Sequence, residues 1–169
     1  TSLPIMVYNN PVDYKIEVKL SMFEELAKCP TIVSVKESTR DVTNITRMRN
    51  LSGDRYKLFC GVDTFVMEEL MLGADGIVGG LVDAFPKETV AIYKLVKAGM
   101  YKEALEIYRW FLPVLELDIH PKLVQYIKLA ATQTGLSTEY VRAPRLLIEG
   151  EERATVLAII NEAIATQPV

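Results

Sequence analysis

The chain has 169 residues, 50% of them apolar and 24% charged, with a formal net charge of −3, the balance of an ordinary globular domain long enough to bury a core. No basic concentration runs along it, which argues against nucleic acid or an anionic membrane surface as a partner. No stretch approaches the roughly 20 apolar residues of a membrane span.

Residues 1 to 10 lack a basic start and run straight into strand pattern, so no signal peptide is expected and the expected location is cytoplasmic. "LPIMVYN" (3–9) reads as a strand buried on both faces. A helix is predicted over "IEVKLSMFEELAKC" (16–29), with Met22, Phe23, Leu26 and Ala27 on one face and Pro30 closing it. "TIVSVK" (31–36) is the second strand, and "DVTNITRMRNL" (41–51) a helix with Asp41 as its N-cap. "YKLFCG" (56–61) is the third strand, followed by the helix "DTFVMEELMLG" (63–73), which Gly73 terminates. "DGIVGGLV" (75–82) is the fourth strand, and Pro86 opens a helix through Lys97. From Ala98 the pattern is purely helical: 100–112, 121–134 with Gly135 behind it, and 151–165, with "YVRAPRLL" (140–147) as an extended linker. Residues 1–97 and 98–169 therefore read as two parts, an α/β part and a helical extension.

Four strand–helix units in succession, each strand short and continuously apolar, call for a parallel sheet. A doubly wound nucleotide binder would show a glycine-rich turn after a strand, and none is present; Gly79 and Gly80 lie inside a strand pattern. Half of an eight-stranded barrel is the better reading. In such a barrel reactive groups sit at the C-terminal strand ends. Those ends here are Tyr8 and Asn9, Lys36 and Glu37, Gly61 and Asp63, and Gly79 and Gly80. Alone, a strand-end lysine usually reaches into solvent. Enclosed by a barrel, its pKa falls toward neutrality, and the free amine attacks a carbonyl carbon. A tyrosine on the adjacent strand end then moves protons.

The remaining candidates have plainer uses. Cys29 and Cys60 are far apart with no CxxC motif, and His120 is the only histidine. They read as two reduced, half-buried thiols, and neither a zinc site nor any cofactor is expected. Tyr108, Trp110 and Phe111 read as packing, "KEALE" (102–106) as a solvated helical face, and Asp118 and His120 as the turn before a helix that starts near Pro121.

Tyr8 in "YNNP", Lys36 in "VKEST", "GVD" at 61–63 and "GADGIVGG" at 73–80 resemble the dihydrodipicolinate synthase and N-acetylneuraminate lyase superfamily, over essentially the whole chain. The resemblance implies a TIM (β/α)8 barrel, of which this chain covers about strands five to eight plus the C-terminal helices. It implies Lys36 as the imine-forming lysine and Tyr8 as the proton relay. Ser38, Gly61, Asp63 and Gly80 match positions that contact substrate. A lyase without metal or cofactor is implied, acting on pyruvate-like 2-oxo acids or a cyclic imine and assembling as a homo-oligomer, a homotetramer. "YNNP" with "YRWFLPVLELDIHPKLVQYIKLA" (108–130) is most similar to deaminases of 4-hydroxy-1-pyrroline-2-carboxylate, which form 2-oxoglutarate semialdehyde. Synthases, aldolases and sugar-acid dehydratases of the same superfamily are the alternatives. So is a half barrel that is inactive alone and stable only when paired with its other half or a second copy. Arg40 stands where the family often has glycine, and Thr64 where sialic acid lyases carry a glutamate.

Overall fold

The computed structural model describes residues 2–168, and the chain divides into two compact units between Val78 and Gly79. Strands β1 (Ile5–Asn9), β2 (Ile32–Glu37), β3 (Lys57–Cys60) and β4 (Gly76–Ile77) of the first unit form one parallel sheet in sequence order. Helices α1 (Pro11–Tyr14), α2 (Leu20–Leu26), α3 (Thr43–Ser52) and α4 (Val66–Met71) fill the crossovers, and a 3-10 turn, Asp63–Phe65, precedes α4. The helices cover one face of the sheet. Val35, Glu37, Leu58 and Cys60 point into that face and are fully buried, while Met6 and Tyr8 on the opposite face are 40% and 41% exposed. The expected burial of both faces is therefore found on one only.

Local chemistry explains where the elements differ from the pattern. The helix predicted from residue 16 begins at Leu20, because Val18 is held in extended pairing by a side chain. Asn9 Oδ1 accepts from Val18 N–H at 3.0 Å, and Asn9 Nδ2 donates to Val18 O at 3.2 Å. Met22, expected on the buried face, is 48% exposed, whereas Phe23 is 1% exposed. Phe23 packs edge-on against Tyr56, whose hydroxyl donates to Phe23 O at 2.7 Å. The cap position of α3 falls on Val42 rather than on the expected Asp41, whose Oδ1 nevertheless accepts from Thr43 N–H at 3.0 Å one residue earlier. The fourth strand is much shorter than the run 75–82: one further ladder bond joins Val78 N–H to Cys60 O at 2.8 Å, and Leu81–Asp83 turn as a 3-10 element. Arg49 of α3 fastens the ends of the crossovers, donating to Gly53 O, Tyr56 O and Gly73 O and pairing with Asp75.

The second unit is helical: α5 (Pro86–Lys97), α6 (Tyr101–Leu115), α7 (Leu123–Gln133) and α8 (Gly150–Ala165). Its boundaries follow the sequence signals closely, with Pro86 as the first residue of α5 and Gly135 in the left-handed region (φ 76) after α7. Only α6 outruns its prediction, continuing through Pro113 to Leu115. The aromatics pack, as expected: Tyr108 and Phe111 are buried, Phe85 and Phe111 lie 5.3 Å apart, and the half-buried Trp110 stacks on Phe111 at 5.4 Å. His120 stacks on Tyr126 at 4.6 Å, and its Nδ1 accepts from Lys122 N–H at 3.1 Å, a helix-start role. Among the described residues no helix is long and apolar enough to cross a membrane.

Candidate active site

Tyr8 and Lys36 are register partners across β1 and β2, and Lys36 is in turn the partner of Phe59 on β3. Partners in a parallel register share a face, so the phenol, the amine and the phenyl ring form one row across the open side of the sheet. Lys36 Nζ lies 4.4 Å from the centroid of the Tyr8 ring, within cation–π range. The enclosure expected for Lys36 is not complete within this unit: it is half-buried, since the helices pack on the other face.

Asn10 orients the phenol. Its Nδ2 donates to Tyr8 Oη at 2.8 Å and to Asp13 Oδ2 at 2.6 Å, while its Oδ1 accepts from Asp13 N–H at 3.1 Å as the cap of α1. The cap bond fixes which end of the amide faces Tyr8. Because the tyrosine oxygen accepts that bond, its own proton is left to be donated to a bound molecule. Tyr14 meets the Tyr8 ring edge-on at 5.6 Å.

Gly61 makes room for the lysine. A Cβ at this position would lie 2.1 Å from Ser38 Oγ, 2.6 Å from Glu37 O and 2.8 Å from Lys36 Cγ. Its N–H donates to Glu37 O at 2.8 Å, so the backbone cannot retreat without breaking the ladder. Gly61→Ala is expected to destabilise the unit by about 1–3 kcal/mol through overpacking, read as a lower urea midpoint. Ser38 is buried, its N–H donates to Asn9 O at 2.9 Å, and its Oγ has no hydrogen-bond partner among the described residues. A buried hydroxyl left this way is destabilising unless something outside the chain completes it. Asp63 is buried and begins the 3-10 turn, its carbonyl accepting from Val66 N–H. Gly80 belongs to the second unit, where a Cβ would run into Ile127 Cδ1 at 2.4 Å and Asp118 Oδ1 at 2.6 Å, so packing alone requires glycine there.

Behind Lys36, on the helix-covered face, stands an acidic cluster that the sequence reading did not identify. Glu37 is fully buried and accepts from Thr39 N–H at 2.7 Å and from Asn44 Nδ2 at 2.9 Å. Burial raises its carboxyl above the ordinary value, and those hydrogen bonds pull it partly back. Its register partner Cys60 is buried, and burial, followed by the nearby Glu69, pushes the thiol well up. Such a thiol is inert. Cys29 is exposed, so neither cysteine is half-buried as expected. Glu69 of α4 is 1% exposed, and burial pushes its carboxyl up to about 8.

Tyr8 and Lys36 on one row of a parallel sheet, Gly61 beside the lysine and the uncompleted Ser38 hydroxyl together make up the candidate site. The model of the Dihydrodipicolinate synthetase family matches residues 1–163. The chain belongs to that family. It is 31% identical over 155 residues to a 4-hydroxy-tetrahydrodipicolinate synthase of Exiguobacterium sibiricum, covering 90% of this chain and 51% of that protein. A second protein so named, from Oceanobacillus iheyensis, is 25% identical over 163 residues, covering 96% of this chain and 55% of that one. Among solved structures, the 4-hydroxy-tetrahydrodipicolinate synthase of Methylacidiphilum fumariolicum SolV superposes with a TM-score of 0.85 at 25% identity, over 98% of this chain and 56% of that one. The sialic acid aldolase of Ruminococcus gnavus has a TM-score of 0.84 at 24% identity, over 96% of this chain and 56% of that one, and shows the fold alone. The fold is thus that of the barrel structures of the dihydrodipicolinate synthetase family, and the chain spans about half the length of the curated relatives it matches.

One departure from the family pattern has a backbone consequence. Arg40 sits at φ 63, in the left-handed region that glycine adopts without strain. Asn10 was the site residue most open to discovery from sequence, because asparagine immediately before a proline is a cap-and-first-turn signal. Glu69 gave no such signal, since "MEEL" looks like any solvated helical face.

Proposed function

We propose that this chain is the strand-five-to-eight part of a family barrel, with residues 98–169 as its helical extension, and that Lys36 is the imine-forming nucleophile with Tyr8 as the proton relay. The observation that carries this reading is the shared register of the two side chains, with Nζ 4.4 Å from the phenol ring and the hydroxyl proton left free by Asn10. The substrate is a small 2-oxo acid or a cyclic imine of one, Ser38 Oγ and Asp63 contributing contacts, and the complete enzyme is a homo-oligomer.

The reaction proposed is deamination of 4-hydroxy-1-pyrroline-2-carboxylate. Lys36 Nζ adds to the C2=N carbon, and expulsion of the ring nitrogen opens the ring and leaves a Schiff base on the lysine. Removal of a C3 proton gives an enamine, which expels the 4-hydroxyl as water once Tyr8 protonates it. Tautomerisation places a C=N bond at C5. One water hydrolyses that imine to ammonia and the aldehyde, and a second releases 2-oxoglutarate semialdehyde from Lys36. One water leaves and two enter, so the balance is one water consumed and one ammonia formed.

A second reading is favoured by the relatives, which are named 4-hydroxy-tetrahydrodipicolinate synthase. It shares the Lys36 imine and differs in substrate. In the complete enzyme, borohydride reduction with pyruvate is expected to leave a carboxyethyl group on Lys36 under either reading, and its absence there would overturn both. Ammonia release from 4-hydroxy-1-pyrroline-2-carboxylate, with no product from pyruvate and aspartate semialdehyde, supports the deaminase. The reverse pattern establishes the synthase.

A further inference from the structure

The second unit contains a cleft that the Lys36 chemistry does not use. It has a volume of about 380 Å³ and opens at the first turn of α5, walled by the C-terminal ends of α7 and α8. Glu88, the third helical residue of α5, lines it. This carboxylate is 1% exposed, and its Oε1 has no hydrogen-bond partner among the described residues. A glutamate at this helical position ordinarily reaches back to the N–H of the capping residue. Here that N–H, of Phe85, is already committed to Leu81 O at 2.9 Å. The carboxylate gains from the positive end of α5, yet its acceptor capacity goes unmet.

We propose that the cleft binds a small organic ammonium ion, a primary amine whose N–H groups complete Glu88. A carboxyl oxygen left without a donor calls for a partner that donates, and a positively charged donor makes the strongest such bond. A divalent metal is disfavoured, because among the described residues no group of three His, Cys, Asp or Glu side chains could hold one. A single water occupies about 30 Å³, far less than the cleft, whose volume lies in the range of about 300–1,000 Å³ for small-molecule sites. Thr134 favours the same ligand: its hydroxyl donates to Ala130 O at 3.3 Å and Ala131 O at 3.2 Å, which leaves its lone pairs to accept. Gln133 and Gln167, both exposed, complete the lining. Lys87 stands exposed at the rim. Its charge selects a ligand with an oxygen at the end remote from the ammonium, as in an amino alcohol.

The test is titration of the 15N-labelled 169-residue chain with ethanolammonium chloride at pH 7 and fixed ionic strength. Saturable amide shifts are expected at the residues that line the cleft. Glu88→Gln is expected to weaken binding at least tenfold, and tetramethylammonium, equal in charge but without N–H donors, is expected to give no saturable shifts. Linear shifts, shifts of equal midpoint in Glu88→Gln, or an equal response to tetramethylammonium would overturn the proposal. Should Glu88→Gln fail to fold, Leu136→Trp at the 57%-exposed rim narrows the cleft without touching the carboxylate. A midpoint unchanged in that variant overturns the proposal as well, and a weakened one supports it.

Discussion

Lys36→Ala in the complete enzyme is expected to lower kcat by about 10³-fold or more while changing stability little. A factor of 10³ corresponds to about 4 kcal/mol of transition-state stabilisation, and it is lost because the covalent route through the imine disappears. The small stability effect follows from the position of the side chain, half-buried on the open face of the sheet with its ammonium against a partly exposed ring. Lys36→Arg separates nucleophile from charge. Guanidinium keeps a cation over the Tyr8 ring but has no free amine, so it is expected to be as inactive as alanine. Tyr8→Phe keeps the ring contacts to Lys36 and Tyr14 and removes only the hydroxyl that Asn10 orients. Its expected loss is smaller, about 10²-fold, the low end of what a positioned proton donor contributes. Steady-state assays of the three variants beside their urea midpoints give the answer. Substantial turnover in Lys36→Arg would reduce the lysine to an electrostatic role.

The shared row of Tyr8 and Lys36 was legible because a parallel strand buried at its ends leaves few places for a charged residue. "TIVSVKE" stops on a lysine and a glutamate, and the alternation of side chains sends them to opposite faces. Their different fates were not legible. Glu37 enters the helix-covered face because Thr39 N–H and Asn44 Nδ2 supply donors there, and both contacts depend on how α3 folds back over β2. The helix predicted from residue 16 failed for a similar reason. The apolar pattern runs the helix back to Ile16, but the Asn9 side chain pairs with the Val18 backbone and holds it extended. In the second unit the signals were local, Pro86 at a start and Gly135 at an end, and local signals place helix ends well. The fourth strand misled because Val78 and Leu81 are apolar on either side of Gly79-Gly80. The turn at Leu81–Asp83 follows from the close packing of Gly80 against Ile127 and Asp118, which no linear pattern records.

Glu69→Gln is expected to stabilise the chain by about 2–3 kcal/mol at pH 7 and by almost nothing near pH 4.5. The carboxyl is 1% exposed with Oε2 unbonded among the described residues, and burial pushes it up to about 8 from 4.5. The Cys60 thiol pulls it down as a hydrogen-bond partner, and the charges of Glu37 and Glu68 raise it further. Between pH 4.5 and 8 the folded chain therefore keeps a proton that the unfolded chain has released. Stability is fully present below the unfolded value, falls as pH rises through this window, and levels off above the folded value. Each pH unit of the window costs about 1.4 kcal/mol, so two and a half units would give at most about 3.4 kcal/mol at pH 7. Residual hydration and relaxation reduce that to the range expected. Glutamine matches the shape of the protonated acid and does not titrate, so it removes the slope and keeps the packing. Glu37 carries a raised carboxyl too and leaves a shallower slope of the same sign in the variant. Urea unfolding at pH 4.5, 6, 7 and 8.5 distinguishes the outcomes. Curves for the parent chain and the Glu69→Gln variant that diverge as pH rises support a neutral buried acid behind the Lys36 strand. Curves that run parallel would mean that Glu69 is ionised in the folded chain and that α4 holds it in contact with water.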